Sequence, residues 1–244
     1  MHAQVGVIGG TGIGSRLAQL PGRALHVPTP FGTVQGRLIE FRGVQLALFS
    51  RHSAGHKVPP HRVNYAAIAD GMRRLNVRAV LATAAVGSLR GDWMPGTTAI
   101  PSDLLDFSDR QITLFDRKVV HTDFSRPFST EAGQVLLDSA RGQGLTPHWG
   151  AVYGNVNGPR YETPHEIATY RKLGMDLVGM TAGSEAIAMR EAGVPYACLG
   201  VVTNLAAGMI DKQLEHSHVE DVMKDLGPPI VQALLDAAVT LSES

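Results

Sequence analysis

Five short segments of this chain carry side chains suited to holding an anion and a heterocycle. The first is Gly9-Gly10-Thr11-Gly12, where glycines let backbone N–H groups crowd around an anion and Thr11 adds a hydroxyl donor. It is not a dinucleotide fingerprint, because Ser15 stands where the third glycine belongs, and no Gly-Lys-Ser/Thr follows to make a P-loop. The second is Arg51-His52, with His56 four residues on and His61 beyond Pro59-Pro60. A guanidinium grips an oxyanion through two parallel bonds. A metal reading of His52, His56 and His61 lacks supporting carboxylates, and a solvated basic loop is the plainer alternative. The third is Gly158-Pro159-Arg160-Tyr161-Glu162-Thr163. There an aromatic beside a carboxylate can stack a heterocycle and read one of its N–H donors, although Glu162 ahead of Pro164 also suits a helix start. Val178-Gly179-Met180-Thr181 and Val202-Thr203-Asn204 complete the set. Taken singly, Met180 reads as core and Asn204 as a turn former.

The elements that must position these segments are short β-branched runs alternating with helical patterns, which predicts a mostly parallel sheet flanked by helices. Val5–Ile8 reads as a first strand running straight into the glycine loop. Val34–Phe41 and Val44–Phe49 read as a hairpin turning at Arg42-Gly43. Further strands are expected over Val77–Thr83, Gly150–Asn157, Asp176–Met180 and Pro195–Val202. Helices are expected over Asn64–Leu75, Gln134–Arg141, Pro164–Leu173, Ser184–Ala192 and from near Ser217 to about Leu241. Thr11, Arg51-His52, Ala84-Ala85, Thr181 and Asn204 would then each follow a strand. In open α/β sheets the ligand crevice lies outside the carboxyl ends of the strands, so the segments converge on one site.

Composition narrows the partners. Lys plus Arg and Asp plus Glu both number 22, for a formal net charge of zero, which argues against a nucleic-acid partner. The lone Cys198 excludes an intrachain disulfide and a cysteine-rich metal cluster; within an apolar run it reads as a buried small hydrophobe. The apolar stretch Ala79–Val86 is far shorter than a membrane helix requires. Met1–Gln4 leaves no room for a signal peptide before the first strand. The expectation is a cytoplasmic protein without membrane partners, and 244 residues suit one α/β domain.

In order and with similar gaps, these segments resemble the purine nucleoside phosphorylase and methylthioadenosine phosphorylase family. Asn64-Tyr65, Gly87-Ser88-Leu89 and Pro127-Phe128 extend the match over nearly the whole chain. The resemblance implies a single α/β domain over residues 1–244, with a distorted mixed β-sheet flanked by helices, assembled as a homotrimer or a dimer of trimers. It implies a phosphate site of Thr11, Arg51, His52, the Ala85 backbone and Thr181. Met180 would lie against the ribose, Tyr161 would stack near the purine, and His56 would join the substrate contacts. His121 resembles a residue that a neighbouring subunit contributes in methylthio enzymes. The implied partners are a small-molecule nucleoside and inorganic phosphate as co-substrate, with no metal or organic cofactor. Ser53 and Ala84 depart from the Gly and Thr of methylthioadenosine members, so one hydroxyl contact to phosphate is missing unless backbone donors replace it.

The base follows from chemistry. A 6-oxopurine offers a donor at N1 and an acceptor at C6, and a 6-aminopurine reverses both. An ionised Glu162 accepts from N1–H, and Asn204 can donate to O6 and bond N7, where the leaving group gathers charge. Adenosine-type members of the family carry Ser and Asp at these two positions; Glu162 with Asn204 is the 6-oxopurine pattern. For the 5′ end two countings disagree. Forward from Asn204 the contact is His216 or His218, fitting a hydroxyl; backward from Val222 it is Val219, fitting a methylthio group. The leading expectation is phosphorolysis of S-methyl-5′-thioinosine to hypoxanthine and 5-methylthioribose 1-phosphate, followed by inosine or guanosine, then methylthioadenosine. A nucleoside hydrolase is the nearest rival, but Thr11, Arg51 and Thr181 make sense only with an anion present. A dinucleotide-binding protein fails on glycine spacing.

Overall fold

A computed structural model describes residues 2–52, 58–210 and 216–243, apart from the side chains of 216–220. Strand β1 (Val5–Gly9) leads into a short helix α1 (Gly14–Ala18), then β2 (Arg23–Thr29), β3 (Gly32–Phe41) and β4 (Val44–Ser50). Helix α2 (Tyr65–Arg74), β5 (Ala79–Ser88), β6 (Thr98–Asp106), α3 (Thr130–Gly142) and β7 (His148–Asn155) follow. The chain finishes through α4 (Pro164–Lys172), β8 (Leu177–Gly179), α5 (Ala182–Ala192), β9 (Tyr196–Leu205) and α6 (His216–Glu243).

Local chemistry sets many of these boundaries. The β3–β4 hairpin turns at Arg42 and Gly43, which both take positive φ (49° and 80°), the requirement of the two-residue turn that matches strand twist. Asn64 caps α2 by accepting from the Ala67 N–H at 2.9 Å. Thr163 and Glu166 form a reciprocal capping box at the start of α4, with Pro164 in the first turn.

Period-two burial divides the core into two layers. Along β5, Val80, Ala82, Ala84 and Val86 face the layer beneath α2 and α5, while Ala79 and Leu81 face the layer beneath α3 and α6. In β9, Tyr196, Cys198 and Val202 take the first side, and Ala197, Leu199 and Val201 the second. Gly6 of β1 admits α2 closely, since a Cβ there would lie 2.5 Å from the Met72 sulfur.

The sheet is mixed, with five parallel and four antiparallel ladders. Its order is β2-β3-β4-β1-β5-β8-β7-β6-β9, and β9 pairs back onto β5. The second half therefore closes into a ring, β5-β8-β7-β6-β9. Parallel ladders join β1 to β4 and β5, β5 to β9, and β7 to β6 and β8. Antiparallel contacts join β2–β3, β3–β4, β5–β8 and β6–β9. Strands β2 and β6 escape the sequence pattern because each contains a proline, Pro28 and Pro101. The fold tolerates Pro28 on the edge strand and Pro101 at a register shift. Strands β5 and β9 run on past their expected ends, with a further register shift between Val86 and Gly87. Ala84, Ala85 and Asn204 thus lie inside strands and not after them.

Candidate active site

Ring closure brings the C-terminal parts of β5, β8 and β9 together, and a cavity of about 630 Å³ opens there. Its lining includes Thr11, Arg51, His52, Ala85 and Thr181, the residues expected to hold an anion, together with Tyr161, Glu162, Met180 and Asn204, those expected to meet a nucleoside. Its size suits a drug-sized ligand. His121 is exposed on the irregular segment between β6 and α3 and does not line the cavity. His56 lies outside the described residues, as do the side chains of Val219, His216 and His218.

Arg51 is buried, and its guanidinium is held on three sides. Nε donates to Glu185 Oε1 at 2.6 Å, Nη2 to Glu185 Oε2 at 2.8 Å, and Nη1 to the Thr83 carbonyl at 3.1 Å. One N–H on each Nη remains to grip an anion. Burial alone would lower the Arg51 pKa, but the Glu185 charge and hydrogen bonds outweigh it and hold the guanidinium protonated. Glu185 also accepts from the Tyr196 hydroxyl at 2.6 Å. Gly10 must lack a side chain: a Cβ there would sit 2.5 Å from the Thr83 carbonyl and 2.8 Å from Arg51 Nη1. Its N–H donates to Thr83 Oγ1 at 3.1 Å, tying the glycine loop to β5.

Thr181 occupies the N-cap of α5, and its side chain makes no cap hydrogen bond. Its hydroxyl and the positive end of the helix are therefore available to an anion. The Tyr153 hydroxyl accepts from the N–H groups of Thr181 (3.5 Å) and Ala182 (3.3 Å) and fixes the start of the helix. His52 Nδ1 donates to the Val58 carbonyl at 2.7 Å, which settles that nitrogen as the protonated one.

Beside Glu162, Arg160 engages Glu166 with its fork, at 2.9 and 2.8 Å. Glu162 has no ion-pair partner among the described residues, and its burial pushes its carboxyl above the usual carboxylate range. The Asn204 carbonyl accepts from the Thr203 hydroxyl at 3.1 Å, and its amide nitrogen donates to the Leu205 carbonyl at 3.0 Å. That nitrogen keeps a second N–H for a ligand. Gly87 pairs with both Val178 and Asn204, and a Cβ on it would come within 3.2 Å of the Asn204 nitrogen. Gly158, at φ 60°, lets the Pro159–Glu162 strip fold over Met180; a Cβ would lie 2.3 Å from the Met180 sulfur. Burial pushes the Cys198 thiol up to about 12, so it stays protonated and inert, as its apolar surroundings predict.

Sequence reasoning passed over Glu185, Tyr153 and Arg110. A carboxylate at the position before Ala186, on the buried face of α5, is the one signal that could have marked Glu185. Arg110 sits in a segment without periodicity, where no such signal exists.

An α/β sheet that closes on one side, with one cavity at the strand ends lined by Arg51, Thr181, Glu162 and Asn204, is the architecture of nucleoside phosphorylases. Residues 4–238 match the Phosphorylase superfamily, and the chain belongs to that family. It is 42% identical over 95% of its length, and 90% of the relative's, to a probable S-methyl-5′-thioinosine phosphorylase of Methanopyrus kandleri. It is 38% identical over 96% of its length, and 91% of the relative's, to the 6-oxopurine nucleoside phosphorylase of Pyrococcus furiosus. Among solved structures it resembles a methylthioadenosine phosphorylase sourced from an antarctic soil metagenomic library, with TM-score 0.91 and 26% identity over 100% of this chain and 88% of that one. No helix among the described residues is long and apolar enough to cross a membrane.

Proposed function

We propose that this nucleoside phosphorylase cleaves S-methyl-5′-thioinosine with inorganic phosphate, releasing hypoxanthine and 5-methylthioribose 1-phosphate. The observation that carries the reading is that one cavity is lined both by Thr11, Arg51, His52 and Thr181, suited to an anion, and by Glu162 and Asn204, suited to an oxopurine. Phosphate held by Thr11, Arg51, His52, the Ala85 backbone and Thr181 attacks the anomeric carbon. The bond to purine N9 breaks with its electron pair leaving on the base, and the phosphate charge stabilises the oxocarbenium-like transition state. An ionised Glu162 accepts the N1–H, and Asn204 meets the charge growing at N7 and O6. Met180 underlies the ribose and Tyr161 stacks on the purine. The reaction needs no metal or organic cofactor.

The protein acts in the cytoplasm as a homotrimer or a dimer of trimers, with His121 of a neighbouring copy and His56 completing the nucleoside contacts. Val219 is the candidate 5′ contact for a methylthio substrate. Relatives named for S-methyl-5′-thioinosine and for 6-oxopurine nucleosides support an oxopurine under either reading of the 5′ contact, so inosine is the second candidate.

The test is incubation with S-methyl-5′-thioinosine, inosine and methylthioadenosine, each with and without phosphate, following free base by chromatography. Phosphate-dependent hypoxanthine release, fastest from the methylthio substrate, is the expected result. Preference for inosine replaces Val219 by a histidine as the 5′ contact. Fast adenine release overturns the base assignment, and release without phosphate overturns phosphorolysis.

A further inference from the structure

Arg110 lies outside the cavity, yet it bonds the lining residue Met180 and segments that lead into other lining residues. Nη1 donates to the Met180 carbonyl at 2.8 Å and to Ser184 Oγ at 2.6 Å. Nη2 donates to the carbonyls of Val156, at 2.9 Å, and Asn157. The guanidinium also lies 5.4 Å from the centre of the Tyr65 ring, and the Tyr65 hydroxyl donates to the carbonyl of the cavity residue Pro60 at 2.8 Å.

These partners have distinct jobs. Val156 and Asn157 lead directly into the Gly158–Thr163 strip that carries Tyr161 and Glu162. Met180 faces the sugar and its carbonyl precedes Thr181. Ser184 lies in the first turn of α5, beside Glu185, which orients Arg51. The β7–β8 ladder ends here, at Asn155 opposite Gly179 and the Val156 N–H on the Gly179 carbonyl at 3.0 Å. One residue further on, the planar Arg110 guanidinium carries the link between the base-reading strip and the sugar and phosphate floor. Both Nη atoms are fully engaged, so Arg110 has no donor there to offer a substrate. The fork geometry also makes lysine a poor substitute, since a point charge on a flexible stem cannot bridge carbonyls on separate segments.

We propose that Arg110 is a positioning residue: it sets the distance between the purine subsite and the phosphate subsite, so that its loss weakens binding at both ends although it contacts neither ligand. The proposal rests on the phosphorylase reading given above. The experiment is steady-state kinetics of Arg110→Met and Arg110→Lys, varying nucleoside and phosphate separately, well below each variant's melting temperature. Leu137→Ala serves as control, a buried position on α3 in the layer away from the cavity.

The expected result for Arg110→Met is a KM raised for both substrates and a fall of about 100-fold in kcat/KM, the scale of a misplacement of about 1 Å. Arg110→Lys should fall between it and the unaltered protein, and Leu137→Ala should melt earlier with both KM values unchanged. Values within twofold of the unaltered protein in a folded Arg110→Met or Arg110→Lys overturn the proposal, as does a rise in only one KM. If Arg110→Met does not fold, the lysine variant decides alone by the same criterion. If the unaltered protein releases no base in phosphate, the functional reading itself fails and the proposal falls with it. Turnover in the unaltered protein that survives unchanged in the variants sinks only the role of Arg110.

Discussion

Replacing Glu185 by glutamine tests the core of the anion site. The Arg51 and Glu185 side chains are 1% and 0% exposed, and the carboxylate receives Arg51 Nε, Arg51 Nη2 and the Tyr196 hydroxyl. Glutamine keeps the shape but removes the charge, and turns one acceptor into a donor facing another donor. Breaking a buried ion pair from one side costs about 3–5 kcal/mol, because the remaining charge is left uncompensated. For a chain of 244 residues that corresponds to a Tm lower by roughly 6–20 °C, at about 2–4 °C per kcal/mol. Phosphate seated on Arg51 would supply the missing negative charge. A ligand at 100 times its Kd adds about 2.7 kcal/mol to a folded state, and the gain in Glu185→Gln should exceed that of the unaltered protein. The assay is thermal melting across a phosphate series, against chloride at equal ionic strength. The deficit should be large in chloride and shrink in phosphate. A deficit that is equal in both salts would refute the placement of phosphate on Arg51, and a Tm drop under about 3 °C would refute the energetic argument for the pair.

Four further outcomes follow from the same geometry. Glu162→Ser with Asn204→Asp should move preference toward 6-aminopurine nucleosides by several orders of magnitude, up to about 10⁴-fold; unchanged relative kcat/KM undoes the base assignment. Burial raises the Glu162 carboxyl above its ordinary 4.5, so the ionised form proposed to accept N1–H appears only as pH rises through that elevated value. Nucleoside KM should therefore fall with rising pH on the acid limb, with Glu162→Gln flattening it. The same raised pKa means that burying Glu162 opposes folding increasingly as pH climbs from 4.5 through the folded value, so Glu162→Gln should gain relative stability there, measured by denaturant melts. Gly158→Ala places a Cβ 2.3 Å from the Met180 sulfur at a φ of 60°. It should cost about 1–2 kcal/mol of stability and lower kcat/KM at least about tenfold by displacing the ribose contact; kinetics matching the unaltered protein would remove Met180 from that role.

The sequence by itself determined whatever depends on neighbours along the chain. Alternation and β-branching marked β1, the β3–β4 hairpin and the start of β9, and helical spacing with Asn64 and Pro164 marked α2 and α4. The chemical types of Thr11, Arg51, Glu162 and Asn204 were legible because a guanidinium, a carboxylate and an amide carry their donor and acceptor patterns wherever they stand. Tertiary structure decided the rest. Strands β2 and β6 exist because an edge and a register shift accommodate Pro28 and Pro101, which local propensity counts against them. Closure of β9 onto β5 carries Ala85, Thr181 and Asn204 to a single cavity. Glu185 meets Arg51 from 134 residues away, and Arg110 meets Met180 from 70. Such pairings are set by how sheet layers and helices pack, a long-range property that no local periodicity encodes.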